Sequence, residues 1–255
     1  MPVRDSYPDG APCWADLTCA DPLAAQDFYG PILGWEFEEL GPAHRGYTMC
    51  LSEGRPAAGL VPPPAGAERL PPAWNVYLAA ADLDAAYRRV AEAGGEGVLA
   101  PRQVPDAGRL AYAFDPVGAA FGLWQPGGHA GAAVYGEPGA MCWHELTCPR
   151  AEPADAFYAA LFPYQQKQMG DGRDFDYTAW SVPGSNGLPV CGRYRAPVPR
   201  PFWAVHFAVV DADHAAEQVA GLGGRVLREP FDSPYGRLVP CGDPSGAQLT
   251  LCQLP

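Results

Sequence analysis

The sequence predicts an α+β fold of four βαβββ units, two in each of two tandem copies, and three observations predict it. The chain repeats itself: Trp14-Ala-Asp-Leu-Thr-Cys19 returns as Trp143-His-Glu-Leu-Thr-Cys148, and Asp27-Phe28-Tyr29 returns as Ala156-Phe157-Tyr158, in both cases 129 residues on. The same offset relates Trp74-Asn-Val-Tyr-Leu to Trp203-Ala-Val-His-Phe and Gly94-Gly95 to Gly223-Gly224, while Asp115-Pro-Val-Gly118 answers Asp243-Pro-Ser-Gly246 at a shift of 128. Within each copy, a strand, a helix and three strands follow one another twice. A register held across separated motifs is the mark of a duplication.

The elements follow in order. Residues 13–19 alternate as a strand, and 22–33 carry the start signal and apolar spacing of a helix. Strands follow at 35–40, 47–51 and 57–61, and Pro62-Pro63-Pro64 interrupts the pattern. The order then restarts with a strand at 74–80, a helix at 83–93 and strands near 97–100, 109–114 and 119–124. Gly94-Gly95 is the expected left-handed stop of that helix. A Gly- and Ala-rich linker spans 125–138, giving domains at 1–128 and 129–255. The second copy repeats the series: strand 143–148, helix 153–161, three short strands to about 195, strand 203–210, helix 212–222 and strands to 252.

With 255 residues, of which 48% are apolar, the chain can form two domains with cores of their own. Its formal charge of −12, with a single Lys among 17 basic residues, disfavours nucleic acid and anionic membrane surfaces as partners. The polar, Pro-rich start does not resemble a signal peptide, and no apolar run approaches the roughly 20 residues that cross a bilayer. A soluble, cytoplasmic protein is the expectation. The eight Cys form no CxxC pair, and Cys13, Cys19, Cys142 and Cys148 fall in or beside duplicated strands, so they read as buried free thiols.

The pattern Asp21-Pro-x4-Asp27-Phe-Tyr-x3-Leu33-Gly-Trp, then Asp82-Leu-Asp, Gly94-Gly95 and Phe114-Asp115-Pro-x-Gly118, resembles the vicinal oxygen chelate superfamily of glyoxalases, bleomycin-binding proteins and extradiol dioxygenases. Over nearly its whole length the chain most resembles a tandem, actinobacterial glyoxalase-like group that includes a mycobacterial antigen. The resemblance implies two cup-shaped mixed β-sheets with helices outside and a small-molecule ligand inside. Strand alternation then sorts the side chains. Trp14, Asp16, Thr18, Asn75, Tyr77, Gly122 and Trp124 face the first cup. Trp143, Glu145, Thr147, Ala204, His206, Thr250 and Cys252 face the second.

Metal-using relatives hold a divalent ion with His, Gln or Glu from the first, fourth, fifth and eighth strands of such a set. Carried over by that pattern, the positions here are Trp14 and Trp143, Asn75 and Ala204, and Gly122 and Thr250, while the fourth strands contain no His, Asp or Glu. Indole is not a ligand, and Asn and Thr are poor ones. The expectation is a cup with no metal and no cofactor.

What the cups do offer is aromatic wall and a few polar groups, the usual form of a small-molecule site. Trp14, Thr18, Asn75, Tyr77, Trp124, Trp143, Thr147 and Thr250 are candidate ligand contacts, with Tyr47 and Tyr177 of the third strands as lining or core. Asp16, Glu145 and His206 are the candidate acid and base groups, because a carboxylate beside indole loses hydration and its pKa rises. The bland alternative is that each carboxylate accepts backbone or Tyr hydrogen bonds and fixes its strand. His144 has helix-facing parity. Asp115 and Asp243 precede Pro-x-Gly and read as turn formers, and Arg109 and Arg237 as surface or turn pairs. Two functions stay open: metal-free acid/base conversion (isomerisation, cyclisation or lyase-type) of an aromatic or carbonyl-bearing metabolite, or sequestration of a drug or metabolite without turnover. A metal-dependent glyoxalase, dioxygenase or hydroxylase is third. Fused copies predict a monomer, and whether each cup closes within one copy is left open.

Overall fold

Short polar side chains start three of the helices in the computed structural model, which describes residues 4–64 and 71–255. Residues 1–3 of the polar start lie outside the described residues. Asp21 accepts a hydrogen bond from the Ala24 amide (3.0 Å), Asp82 from Ala85 (2.9 Å) and Asp211 from His214 (2.9 Å), each satisfying an amide the helix itself leaves free. The fourth helix has Arg150 at this position and no side-chain cap. It begins at Ala151, two residues earlier than the sequence predicts, because Pro153 sits in the first turn, where its missing N–H costs nothing.

The first copy runs β1 (Pro12–Thr18), α1 (Pro22–Leu33), β2 (Trp35–Glu39), β3 (Thr48–Ser52), β4 (Arg55–Val61), β5 (Ala73–Ala79), α2 (Leu83–Glu92), β6 (Glu96–Val104), β7 (Gly108–Phe114) and β8 (Ala120–Pro126). The second runs β9 (Met141–Cys148), α3 (Ala151–Leu161), β10 (Gln165–Gln168), β11 (Tyr177–Ser181), β12 (Pro189–Arg195), β13 (Phe202–Ala208), α4 (Ala212–Gly221), β14 (Arg225–Val226), β15 (Phe231–Ser233), β16 (Gly236–Gly242) and β17 (Gln248–Gln253). The predicted α+β order holds, with three differences. β6 is longer than expected and crosses two register irregularities, the extra short strand β15 pairs with β16, and β8 absorbs Gln125 and Pro126 from the predicted linker.

Each sheet is built within one copy. The orders are β2-β3-β4-β1-β5-β8-β7-β6 and β10-β11-β12-β9-β13-β17-β16-β14. In both sheets the first strand of one unit pairs antiparallel with the first strand of the other, and parallel with the last strand of its own unit. That arrangement puts the first and last strands of all the units side by side at the centre of their sheets.

The helix-facing sides of the two sheets meet. Val76, Leu78, Val205 and Phe207 are fully buried. Phe207 of the second copy lies edge-on to Trp35 (5.2 Å between centroids) and tilted against Trp74 (4.9 Å) of the first. α1 packs on α4 and α2 on α3, so the helices lie outside the cups but between the copies. With their backs together, the two cups face away from each other.

Two polar relays cross this core. Trp74 Nε1 donates to Tyr29 Oη (3.2 Å), which donates to Asp243 of the other copy (3.0 Å). Trp203 Nε1 donates to Tyr158 Oη (2.8 Å), which donates to Asp115 (3.1 Å). As the sequence predicts, both aspartates are turn formers: Asp115 Oδ1 accepts the amides of Val117, Gly118 and Ala119, and Asp243 Oδ1 those of Ser245 and Ala247. The second oxygen of each reaches a Tyr from the opposite copy, which turns a local turn into an inter-copy tie. All eight cysteines are free, and seven are buried, Cys142 being half-buried.

Candidate functional site

Strand pairing brings the predicted carboxylates to equivalent places. Asp16 of β1 stands opposite Gly59 of β4 and Asn75 of β5. Glu145 of β9 stands opposite Gly192 of β12 and Ala204 of β13. The two glycines are required. A Cβ on Gly59 would run into the phenol of Tyr47, and one on Gly192 into that of Tyr177. Each Tyr therefore lies flat across the sheet and reaches the carboxylate. In the first cup Trp14 Nε1 donates to Tyr47 Oη (2.8 Å), which donates to Asp16 (3.4 Å). In the second, Trp143 Nε1 donates to Tyr177 Oη (2.7 Å), and the Tyr177 phenol beside Glu145 pulls its pKa down.

Beyond that shared relay the cups diverge. Asp16 is buried, accepts from Asn75 Nδ2 (2.7 Å) and Tyr77 Oη (2.9 Å), and Asn75 Nδ2 also lies 2.9 Å from Thr18 Oγ1. The Tyr77 ring occupies the space that the absent side chain of Gly122 leaves free, and Tyr112 stands edge-on to it at 5.5 Å. His129, from the segment after β8, lies edge-on to Trp14 (4.5 Å) and Trp124 (5.8 Å), and its carbonyl accepts from Trp124 Nε1 (3.0 Å). The first cup is filled with its own side chains.

The second cup has Ala204 where the first has Asn75, and His206 where the first has Tyr77. Glu145 therefore lacks the two donors that hold Asp16. Apart from Tyr177, it meets Thr147 Oγ1 at 3.4 Å, near the limit of a hydrogen bond. Trp143, Glu145 and Tyr177 are all half-buried, whereas Trp14 and Asp16 are buried. His206 and Thr250, both buried, sit side by side across β13 and β17.

Burial raises both carboxylates, and the hydrogen bonds oppose it. Asp16 is pushed up to about 6, with Asn75, Tyr77 and Tyr47 pulling it back. Glu145 is pushed up to about 7, with Tyr177 and Thr147 opposing. Burial pulls His206 down to about 4 and His129 to about 4, so both imidazoles are neutral at pH 7.

The residues present do not fit a metal ion. Trp14, Gly59, Asn75 and Gly122 ring the first cup, and Trp143, Gly192, Ala204 and Thr250 the second. At these positions neither set offers more than one weak oxygen donor. The Asp16 oxygens are already taken up by N–H and O–H donors, and among the described residues Glu145 and His206 in the second cup have no third such ligand beside them. Among the described residues no three His, Cys, Asp or Glu side chains lie close enough together to hold an ion.

Several groups escaped the sequence reading. Tyr112 lies opposite Gly122 in register, so alternation from Gly122 would have found it. Phe175 and Tyr194 share the cup-facing parity of Tyr177 and Gly192. His129 carries no sequence signal, because a linker has no period. His144 is buried on the helix side, as its parity predicts, with Nε2 3.2 Å from Met141 Sδ. Arg109 and Arg237 form surface ion pairs with Asp84 and Asp213. Two surface recesses, of about 460 and 360 Å³, lie outside the cups. The larger one lies between the starts of β5 and β13, beside Trp74 and Trp203.

Comparison with known proteins agrees with this architecture. The sequence profile of the Glyoxalase/Bleomycin resistance protein/Dioxygenase superfamily matches residues 13–123. The chain is 37% identical over 254 residues to the protein named "Putative glyoxylase CFP32" of Mycobacterium tuberculosis (strain CDC 1551 / Oshkosh), covering 97% of this chain and 96% of that one. It is 36% identical over 264 residues to the anthracycline biosynthesis protein DnrV of Streptomyces peucetius, covering 97% and 94%. Among solved structures, the Mn(II)-bound glyoxalase from Novosphingobium aromaticivorans superposes with a TM-score of 0.66 at 16% identity, over 95% of this chain and 82% of that one. That likeness is one of fold.

Proposed function

The chain belongs to the glyoxalase/bleomycin resistance protein/dioxygenase superfamily, and from that premise we propose that its second cup binds an aromatic or carbonyl-bearing metabolite and exchanges a proton with it at Glu145, without a metal ion. One observation carries this reading. Two equivalent carboxylates differ in that Asp16 is buried under three donors, while Glu145 is half-buried, lacks two of them and titrates near neutrality. A base works best when its pKa lies near the working pH. In this reading Asp16 is structural and Glu145 is the acid/base group. Its carboxylate takes a proton from the carbon beside a carbonyl, leaving an enolate, and returns it at another atom. The change is an isomerisation that needs no oxidant or reductant.

The relatives named for anthracycline biosynthesis, aligned over 97% of the chain, support a polycyclic aromatic ligand. His206, neutral and beside Trp143, would accept or donate a hydrogen bond and carry no charge. Both cups close within one chain, which supports a working monomer.

Sequestration without turnover is the second reading. Its supporting observation is that Glu145 has no neighbouring His titrating near neutrality, because His206 is held at about 4. Deuterium exchange separates the two. In D2O with excess EDTA, the protein is expected to accelerate exchange at the carbon beside the carbonyl of α-tetralone, followed by proton NMR. Glu145→Gln should abolish the acceleration and Asp16→Asn should keep it. Binding without exchange would select sequestration. Exchange that disappears with EDTA and returns with Mn²⁺ would overturn the metal-free mechanism.

A further inference from the structure

Phe175 is an exposed ring on a built loop. Almost half of its surface is open to solvent (49%), and its ring stands against Tyr177 and Tyr194 of the second copy. Its ring stacks on Tyr177 (5.8 Å, 12° between planes) and tilts against Tyr194 (6.1 Å, 41°), and Tyr177 and Tyr194 lie 6.4 Å apart as cross-strand neighbours. Tyr177 in turn accepts from Trp143 Nε1 (2.7 Å), two residues along β9 from Glu145. A continuous run of aromatic side chains thus leads from solvent to Trp143, two residues from Glu145 on the same strand.

The loop is held in place rather than left free. Asp171 Oδ1 accepts the amides of Arg173 (2.9 Å) and Phe175 (3.0 Å). The Arg195 guanidinium reaches the carbonyls of Gly172 (3.2 Å) and Arg173 (2.9 Å) and the Asp176 carboxylate (2.7 Å). Arg193, buried beneath, binds the other Asp176 oxygen (2.7 Å) and ties it to Asp155 of α3 (2.8 Å). Five charged side chains, Asp155, Asp171, Asp176, Arg193 and Arg195, therefore fix a segment whose one large apolar ring is exposed. An apolar side chain pre-ordered at a pocket mouth lowers the ordering cost of binding.

Among the described residues the first copy has no such surface. Matching Tyr47 to Tyr177 and Gly59 to Gly192 places Arg45 where Phe175 stands and Val61 where Tyr194 stands.

We propose that Phe175 and Tyr194 form a stacking platform that admits flat, fused-ring ligands to the second cup and sets its preference for them over single rings. The proposal rests on the second cup being the ligand site, and it deepens that reading by naming the groups that select the substrate class. Each ring offers a planar face to a planar ligand, and such contacts favour offset stacking.

The test compares dihydroxyanthraquinone, with three fused rings, and hydroxyacetophenone, with one, by quenching of tryptophan fluorescence in the full chain. Phe175→Ala and Tyr194→Ala should each weaken dihydroxyanthraquinone binding about five- to tenfold and leave hydroxyacetophenone within about twofold. Phe175→Leu, which keeps the apolar volume without the ring, guards against misfolding and should weaken it as well. Equal losses for both ligands, or no loss for either, would overturn the platform while the proton-transfer reading stands on its exchange assay. Failure of the wild-type protein to bind dihydroxyanthraquinone would also overturn the platform, while the proton-transfer reading is decided by the α-tetralone exchange.

Discussion

Tyr29 of the first copy donates its hydroxyl hydrogen to Asp243 of the second at 3.0 Å, and Tyr158 of the second donates to Asp115 of the first at 3.1 Å. Each bond ends on a carboxylate whose other oxygen organises a turn, so the copies clamp one another through the turns that close their last strands. Tyr29→Phe removes one donor from a buried carboxylate and should cost about 1–3 kcal/mol. Urea denaturation of Tyr29→Phe, Tyr158→Phe and the double variant checks this, and a cost below about 0.5 kcal/mol for both single variants would show the clamp is idle.

The carboxylates of the two cups should answer differently to truncation. Asp16→Ala strands the Asn75 amide and the Tyr77 hydroxyl and should destabilise by about 2–4 kcal/mol. Glu145→Ala removes a carboxylate whose ionised form is disfavoured by burial and should cost under about 1 kcal/mol at pH 8. Equal costs in chemical denaturation would count against assigning structure to one and chemistry to the other.

Protonation of Glu145 should show in stability against pH. Its folded pKa of about 7 lies above the ordinary 4.5, so its contribution is full below about pH 4.5 and is lost as the pH rises through about 7. Glu145→Gln cannot ionise. Measured against the wild type, it should gain about 1–3 kcal/mol between pH 5 and pH 8. A difference that stays flat across that window would mean that Glu145 titrates as an ordinary carboxylate.

Gly192 is a more severe test of the second cup than its size suggests. Gly192→Ala places a methyl in the path of the Tyr177 phenol, which must leave Trp143 and Glu145. Overpacking of this kind costs about 1–3 kcal/mol. The exchange rate with α-tetralone should fall more than it does for Gly59→Ala, whose clash with Tyr47 lies in the other cup. The reverse ranking would place the working site in the first cup.

Much of this was legible in the residues. Duplication, the βαβββ order and the cup-facing parity of Asp16, Tyr77, Glu145 and His206 all follow from repeats and period-two alternation, which are local properties of a chain. The divergence of the cups was half visible, in Asn75 against Ala204 and Tyr77 against His206. Its consequence was not, because a carboxylate's hydrogen-bond partners come from strands that are neighbours only in the sheet.

By itself the sequence determined that two copies of one α+β unit would form and, through strand alternation, which side chains share the face of Asp16 and of Glu145. Tertiary structure alone decided that each cup closes within one copy, that His129 covers the first, and that Phe175 is held open to solvent at the second. The physical reason is range: alternation and capping act over a few residues, whereas burial, ring stacking and the crossed Tyr29–Asp243 and Tyr158–Asp115 bonds depend on which distant surfaces the folded chain brings together.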